Sequence, residues 1–243
     1  MPLFRLPDKI FFPPPELSNE DGLLAIGGDL SPIRLLKAYS MGIFPWYSDG
    51  YPILWWSPDP RLILLPDELR VSRSLRQVIS RGEFKITLDK AFRQVITDCA
   101  KVKRQHEKGT WITREMIEAY CRLHELGYAH SVESWHNGTL AGGLYGVSLG
   151  SAFFGESMFT KVSNASKTAF VYLVNFLKSC NFTLIDCQIT TNHLVSLGAK
   201  EVSRAEFLQM LKCCLTAPTQ KGKWSFEESA QQRTAKTQSL SEP

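Results

Sequence analysis

The segment 42–61 is unusually rich in both prolines and tryptophans, and it constrains the fold more than any other stretch of the chain. It begins Gly-Ile-Phe-Pro-Trp at 42–46 and ends Trp-Trp-Ser-Pro-Asp-Pro-Arg at 55–61. Because proline fixes φ and glycine relaxes it, we predict a rigid, irregular scaffold for large aromatic rings. Two interpretations stay open for the three tryptophans. They form the core of a small domain, or they present an apolar binding surface.

Composition indicates a folded cytoplasmic protein. The 243 residues are 44% hydrophobic, which is enough for one large domain or for a domain with a small appendage. The net charge of +4 permits an anionic partner without the strong excess of a dedicated nucleic-acid scaffold. The six cysteines show neither a Cys-x-x-Cys pair nor a histidine at ligand spacing, so we expect reduced thiols, no metal site and no cofactor. Signal-peptide and membrane-spanning stretches are not expected either.

The chain divides into three regions that differ in composition and in hydrophobic periodicity. Residues 1–62 predict a small N-terminal domain with a helix from Pro32 to about Ser40. Residues 63–216 alternate strands and helices, and 217–243 predict a flexible tail with Trp224 and Phe226 as its only apolar anchors. Strands are predicted at 62–65, 84–88, 130–135, 139–147, 151–158 and 183–188. Helices are predicted to begin at Ser72, Asp89, Thr113, Asn164 and Ser203. The order is that of an α+β fold, in which Asn137-Gly138 makes a tight hairpin.

Asp186 and Gln188 are two residues apart on a predicted strand. Their side chains should therefore leave the same face, while Ile185 and Cys187 face the other way. A carboxylate and an amide would then converge on one spot. The alternative is that both satisfy backbone groups beside a strand end.

Glu156 is a carboxylate in the otherwise apolar stretch Phe-Phe-Gly-Glu-Ser-Met-Phe. A buried, unpaired charge is costly, so Glu156 should have a cationic partner. That partner is an internal Lys or Arg, or a cation carried by a ligand.

Seven motifs occur in the order found in leucyl/phenylalanyl-tRNA–protein transferases, a family that the chain resembles over roughly residues 10–212. They are Gly-Gly-Asp-Leu-Ser at 27–31, the two tryptophan motifs at 42–46 and 55–61, Thr-Trp-Ile-Thr at 110–113, Gly-Glu-Ser-Met-Phe at 155–159, Asn-Ala-Ser-Lys-Thr at 164–168 and Ile-Asp-Cys-Gln at 185–188. The resemblance implies a GNAT-like acyltransferase domain, with a mixed, mostly antiparallel sheet flanked by helices, after the small N-terminal domain.

The resemblance also implies roles for individual residues. Asp186 and Gln188 would bind and activate the attacking amine, and Glu156 would receive the basic N-terminal residue of the acceptor. An apolar pocket for the leucyl or phenylalanyl side chain would be formed by Trp46, Trp111, Tyr120, Leu144, Phe153 and Met158. Each aromatic residue alone could equally be core packing, and the balance among Leu, Phe and Met donors stays open.

The activity implied is transfer of Leu or Phe from aminoacyl-tRNA to an N-terminal Arg or Lys, which marks the acceptor for N-end-rule degradation. An aminoacyl ester is already activated and a protein α-amino group has a pKa of roughly 7.7–8.0, so direct aminolysis without an acyl-enzyme suffices. We expect the protein to be a monomer. Two alternatives remain: transfer to a cell-wall precursor peptide, and a non-catalytic RNA-binding adaptor.

Basic residues cluster in two stretches that could contact tRNA phosphates. The first contains Arg70 and the four residues that we expect to bind tRNA, Arg73, Arg76, Arg81 and Lys85. The second contains Lys101, Lys103, Arg104 and Lys108. A solvated cationic face is the alternative for each. His193 is either catalytic or a capping or core histidine.

Overall fold

The computed structural model describes residues 3–102 and 110–226, so Lys103, Arg104 and Lys108 lie outside the described residues. The N-terminal part forms a four-stranded sheet in the order β1-β2-β4-β3. Its strands are β1 (Phe4–Leu6), β2 (Leu23–Gly27), β3 (Phe44–Pro45) and β4 (Leu54–Trp56). Only β1 and β2 run parallel. Helix α1 (Pro32–Ser40) has the predicted bounds, with proline in its first turn.

A seven-stranded sheet follows, in the order β11-β5-β10-β9-β8-β7-β6. Its strands are β5 (Arg61–Leu64), β6 (Lys85–Leu88), β7 (Ala129–His136), β8 (Thr139–Leu149), β9 (Ala152–Thr160), β10 (Leu184–Gln188) and β11 (Lys200–Val202). Every neighbouring pair is antiparallel except β9 and β10, which are parallel. The α+β class with a mixed, mostly antiparallel sheet is confirmed.

Six α-helices and one short 3-10 helix (Pro66–Glu68) accompany the large sheet in the described residues. The α-helices are α2 (Arg73–Ser80), α3 (Phe92–Ala100), α4 (Arg114–Glu125), α5 (Ala165–Ser179), α6 (Asn192–Ser196) and α7 (Arg204–Cys214). Alternation along β8 separates the two faces of the sheet. Leu144 packs with the residues of α5, whereas Tyr145 packs with those of α3 and α4. The sheet is therefore covered on both sides, and both sets of alternate side chains are buried.

Local sequence signals set several boundaries as predicted. Asn137 and Gly138 have φ of 50° and 74°, the left-handed pair of a type I′ turn, and they join β7 to β8. The side chains of Ser72, Thr113 and Ser203 accept hydrogen bonds from backbone N–H groups in the first turns of α2, α4 and α7.

Asp89 does not cap a helix, and α3 begins three residues later, at Phe92. Instead its carboxylate accepts hydrogen bonds from three distant groups: the N–H of Ser131 at 2.8 Å, the N–H of Trp224 at 2.7 Å and the ring of His130 at 2.8 Å. Asp89 thus links distant parts of the chain and does not cap the helix that the sequence predicted to begin there.

The described part of the segment expected to be flexible, 217–226, packs against the large sheet. Trp224 is buried, and its ring stacks on His130 with centroids 3.6 Å apart. Residues 227–243 lie outside the described residues. In the part of the chain that is described, no helix combines the length and apolarity needed to cross a membrane.

Candidate active site

A cavity of about 460 Å³ lies at the boundary between the two sheets. The N-terminal part contributes the segment 44–46, and the large sheet contributes β8, β9 and β10. Helix α5 and the segment that follows β10 complete the walls. Most of the lining is aromatic or aliphatic, with a few polar groups on one side, which is typical of a site for a small apolar group.

The three tryptophans have different roles. Trp55 is fully buried in the core, where its indole N–H donates to the carbonyl of Gly27 at 2.8 Å. Trp46 lines the cavity. Trp56 packs against the ring of Trp46, with centroids 5.6 Å apart, and its indole N–H donates to the carbonyl of Trp46 at 2.7 Å. Both sequence interpretations therefore apply, each to a different tryptophan.

The structure brings most of the predicted pocket residues together. The cavity walls include seven of the predicted site residues: Trp46, Trp111, Leu144, Phe153, Glu156, Met158 and Gln188. Tyr120 and Asp186 lie behind the walls, fully buried. Tyr120 nevertheless reaches the site, because its hydroxyl donates to Oε2 of Glu156 at 3.0 Å.

Within residues 3–102 and 110–226, the hydrogen bonds to Glu156 all come from neutral groups. Oε1 accepts from the hydroxyl of Tyr39 at 2.7 Å and from Nε2 of Gln188 at 2.8 Å, in addition to the bond from Tyr120 to Oε2. The hydroxyls of Tyr39 and Tyr120 also hydrogen-bond to each other. No Lys or Arg among the described residues pairs with this carboxylate. For that part of the chain, the interpretation that Glu156 has an internal cationic partner is wrong.

Burial, with a further contribution from the nearby charge of Asp186, raises the pKa of Glu156. The hydrogen bonds from Tyr39, Tyr120 and Gln188 oppose the shift, and the resulting pKa is about 7. Burial, and next the charge of Glu156, raises the pKa of both tyrosines well above the ordinary value. Both hydroxyls thus remain protonated donors near neutral pH. The cavity wall holds a carboxyl group that can gain or lose its proton there.

The alternation predicted along β10 holds for Ile185, Asp186 and Cys187, but it turns Asp186 away from the cavity that Gln188 reaches. Ile185 and Cys187 line the cavity, whereas Asp186 points to the opposite side of the sheet. There Arg61 donates to both of its carboxylate oxygens, from Nε at 2.8 Å and from Nη2 at 2.6 Å. Both faces of the sheet are buried, so alternation alone could not tell which face borders the cavity.

Gln188 reaches the cavity because β10 ends irregularly. The pairing of β10 with β5 shifts register between Asp186 and Gln188, and Gln188 has φ of 62°. The backbone N–H of Gln188 donates to Oδ1 of Asp186 at 2.9 Å. Asp186 therefore holds Gln188 in a left-handed conformation that side-chain-bearing residues seldom adopt. In this structure Asp186 is a positioning residue, and Gln188 is the group at the cavity.

Two residues of this network were missed by the sequence reasoning. Arg61 lies between the rings of Phe44 and Phe207, its guanidinium carbon 4.8 Å and 4.5 Å from their centroids. A cation opening the apolar stretch 61–65 was a usable signal, because a buried charge needs a partner. Tyr39 belongs to α1 and gave no such signal.

The cysteine that lines the cavity, Cys187, is a poor nucleophile. Burial and the charge of Asp186 raise the pKa of its thiol well above the ordinary value, so the thiolate is scarce near neutral pH. All six cysteines lie in the described part of the chain, and none of them forms a disulfide bond there. Within residues 3–102 and 110–226, no group of three or more His, Cys, Asp or Glu side chains could hold a metal ion.

The four residues expected to bind tRNA are exposed. Arg73 and Arg76 lie one turn apart on α2, Arg81 follows that helix, and Lys85 opens β6. Arg81 is 3.7 Å from Glu83, and the side chain of Arg81 is largely in solvent. The cluster thus lies at the surface. This position is compatible with both alternatives, a phosphate-binding face and a solvated cationic face.

Sequence comparison relates the chain to one family. The profile described as "Leucyl/phenylalanyl-tRNA protein transferase" matches residues 63–212, and the profile of that family's N-terminal domain matches residues 28–59. A relative from Desulfatibacillum aliphaticivorans, named leucyl/phenylalanyl-tRNA–protein transferase, is 59% identical over 93% of this chain and 97% of its own length. A relative of the same name from Syntrophus aciditrophicus is 57% identical over 93% of this chain and 94% of its own.

Solved structures show weaker likenesses. The L-PGS structure from Bacillus licheniformis is 16% identical, with a TM-score of 0.37 over 82% of this chain and 66% of that one. A GCN5-related N-acetyltransferase from Kribbella flavida is 10% identical, with a TM-score of 0.33 over 74% and 63%. The profile matches and the identity to full-length relatives show that this chain belongs to the leucyl/phenylalanyl-tRNA–protein transferase family.

Proposed function

We propose that the protein transfers Leu or Phe, with Met as a further donor, from aminoacyl-tRNA to the N-terminal Arg or Lys of an acceptor protein. Membership of the family supports the reaction class. The observation that carries the proposal is the composition of the cavity: apolar walls with one titratable carboxylate, Glu156, which lacks a cationic partner among the described residues.

The apolar walls suit the side chain of the donor. Trp46, Trp111, Phe153 and Leu144 provide rigid surfaces, and burying a Leu or Phe side chain against such surfaces is worth roughly 1.5–3 kcal/mol. Met158 adds a flexible side chain that adapts to more than one ligand shape. A cavity of about 460 Å³ leaves room for the ester and the acceptor besides one side chain.

Glu156 suits the basic residue of the acceptor. An arriving guanidinium or ammonium group favours the ionised carboxylate and lowers its pKa from about 7. Tyr39, Tyr120 and Gln188 hold the carboxylate in place before the cation arrives, so little reorganisation is needed. An uncharged N-terminal residue would leave this carboxylate without its partner.

The chemistry we propose is direct aminolysis. The acceptor amine attacks the ester carbonyl, a C–N bond forms, and the ribose oxygen of the tRNA leaves. Gln188 orients the amine, and Asp186 supports it by holding Gln188 in its left-handed conformation. An acyl-enzyme on Cys187 is disfavoured because its thiol stays protonated.

The proposed function also includes the tRNA contacts, the domain division and the cellular setting of the protein. Arg73, Arg76, Arg81 and Lys85 contact phosphates of the tRNA, which their exposure permits. Residues 1–62 and 63–216 are separate domains, a division supported by the break between the two family profiles. The protein acts as a monomer. It works in the cytoplasm, in keeping with the absence of disulfide bonds among the described cysteines, and marks its acceptors for N-end-rule degradation.

The test is transfer of radiolabelled leucine from charged tRNA to three otherwise identical proteins that begin with Arg, Lys or Ala. We expect labelling of the first two only. A cell-wall precursor peptide serves as a fourth acceptor. If it alone is labelled, the protein-transferase proposal is wrong. If the charged tRNA binds but no acceptor is labelled, the protein is a non-catalytic RNA-binding adaptor and the transferase proposal is wrong.

A further inference from the structure

His193 is a cavity residue with a buried ring nitrogen, Nε2. It belongs to α6, the short helix that follows β10, and it lines the cavity together with Glu156 and Gln188. Its Nε2 is buried and makes no hydrogen bond with any described group. A buried polar atom without a hydrogen bond is unfavourable, so a ligand atom that bonds to Nε2 would stabilise this position.

The backbone around His193 is held in place. The side chain of Thr191 accepts a hydrogen bond from the N–H of Leu194 at 3.3 Å and caps the helix. The hydroxyl of Ser196 donates to the carbonyl of His193 at 2.6 Å. These bonds fix the point from which the ring enters the cavity, so the orphaned nitrogen has a defined location.

The environment keeps the imidazole neutral. Burial lowers the pKa of His193, and the positive charge of Lys167 on α5 lowers it further. The other titratable side chains that line the cavity are Tyr145, Glu156, with a pKa of about 7, and Cys187, whose thiol stays protonated. A neutral imidazole with its proton on Nδ1 presents Nε2 as a proton acceptor.

The other candidate bases of the site are occupied. Both oxygens of Asp186 are engaged by Arg61, and Asp186 does not line the cavity. Glu156 accepts three hydrogen bonds, and the proposed function assigns it to the cation of the acceptor. Of the titratable groups lining the cavity, His193 alone combines a neutral state with an unengaged nitrogen.

We propose that Nε2 of His193 carries the proton of the aminolysis step, a role that rests on the proposed function. As the C–N bond forms, the acceptor nitrogen gives one proton to Nε2. As the ester C–O bond breaks, Nε2 returns that proton to the departing ribose oxygen. One proton moves from nitrogen to oxygen through the imidazole, and no further reactant is consumed.

The experiment is single-turnover transfer of leucine at saturating charged tRNA and Arg-initiated acceptor, comparing wild type with His193→Ala and His193→Gln. We expect both variants to lose about 100-fold or more in rate, in line with the usual contribution of a positioned acid–base group. The dissociation constant for charged tRNA should stay within about threefold, since binding precedes the proton transfer.

Chemical rescue separates proton transfer from a structural role. Added imidazole should restore transfer by His193→Ala, and a series of substituted imidazoles should restore it to a degree that follows their pKa. His136→Ala is the matched control, because His136 packs beside Phe84 and does not line the cavity. This control should keep the wild-type rate.

Two results would overturn the assignment. One is a wild-type rate in His193→Gln, which keeps a hydrogen-bonding side chain but cannot carry the proton. The other is a loss in His193→Ala that imidazole does not restore, or that appears only as weaker tRNA binding. In either case, labelling of the Arg-initiated acceptor by wild type would still support the proposed function. Only the proton transfer by His193 would then be rejected.

Discussion

At the scale of single residues, the two buried carboxylates of the site have contrasting surroundings. Asp186 is matched by the guanidinium of Arg61, which donates to both of its oxygens. Glu156 is surrounded by hydroxyls and an amide, which stabilise its charge without neutralising it. One carboxylate therefore maintains the structure, and the other stands ready for a cation from outside.

The first prediction is that Glu156→Gln stabilises the fold at high pH. The pKa of Glu156 is about 7 in the folded state against an ordinary value of 4.5, so the folded protein holds an extra proton between these values. Stability therefore falls as pH rises through that window, by up to about 3 kcal/mol, and the Gln variant escapes this loss. Denaturant unfolding should show the variant more stable at pH 8, with the difference vanishing near pH 4.

Glu118→Gln provides the control for that measurement. Glu118 is exposed, and its side-chain hydrogen bond to Arg93 lowers its pKa. Replacing it should therefore bring no gain in stability at pH 8. A Glu156→Gln variant that is equally stable to wild type at pH 8 and pH 4 would show that the carboxyl group titrates normally.

The second prediction is that Asp186→Asn is strongly destabilising. It leaves the guanidinium of Arg61, whose side chain is 1% exposed, without its counter-charge. Removing one partner of a buried ion pair typically costs about 3–5 kcal/mol. Urea unfolding measures this cost, and the double variant Arg61→Met with Asp186→Leu should recover much of it. A single variant with unchanged stability would argue against the pairing seen here.

The sequence could identify residues whose signal is local, but not partners that meet only in the fold. Glu156 and Gln188 stand in recognisable motifs, and both reach the cavity wall. Tyr39 lies 117 positions from Glu156 along the chain, and Arg61 lies 125 positions from Asp186. Periodicity carries no information about such contacts, which arise when α1 and β5 pack beside β9 and β10.

At the scale of helices and strands, predictions succeeded where short-range chemistry decides the boundary. The serine and threonine caps of α2, α4 and α7 and the Asn-Gly turn work through neighbouring backbone groups. The strands of the N-terminal sheet are two to five residues long, and they exist because they pair with each other. Pairing of this kind leaves no periodic pattern in the sequence.

The third prediction concerns α2 as a tRNA-binding element. Replacing both Arg73 and Arg76 by alanine should remove two phosphate contacts while leaving the fold intact, since both side chains are exposed. The slope of log affinity for charged tRNA against log salt should become shallower by about 1.4–1.8. Filter binding over a range of salt concentrations provides the measurement.

Arg93→Ala is the matched control for that experiment. Arg93 is an equally exposed arginine on another helix, where it pairs with Glu118 at 2.8 Å. Its replacement should leave the salt slope unchanged. If the double variant binds charged tRNA with the wild-type slope as well, α2 is a solvated face and the tRNA lies elsewhere.

At the scale of the whole molecule, the cavity depends on parts of the chain that are far apart in sequence. The N-terminal part supplies Trp46 to its wall and Tyr39 to its carboxylate. The residues of α1 pack in the same core as those of α4, so the two sheets are joined by shared apolar packing. The C-terminal segment adds Trp224 behind Phe153, a cavity residue, with ring centroids 6.0 Å apart.

The fourth prediction is that Trp224→Ala destabilises the protein by about 3–5 kcal/mol, the usual cost of deleting a buried aromatic side chain. The ring stacks on His130 and also packs against Phe176 and Phe182. Denaturant unfolding checks this, with Tyr51→Ala as the control because Tyr51 is 70% exposed. Equal stabilities of the two variants would mean that residues 217–226 do not pack against the large sheet.

The most direct test of the proposed function is transfer of leucine from charged tRNA to an Arg-initiated protein by wild type and Glu156→Gln. We expect labelling by wild type. In the variant, kcat/KM for the acceptor should fall by about 10-fold or more, because the cation loses a charged partner, while charged tRNA binds as before. Undiminished transfer by the variant, or an equal loss of transfer and tRNA binding, would contradict the role of this carboxylate as the acceptor site.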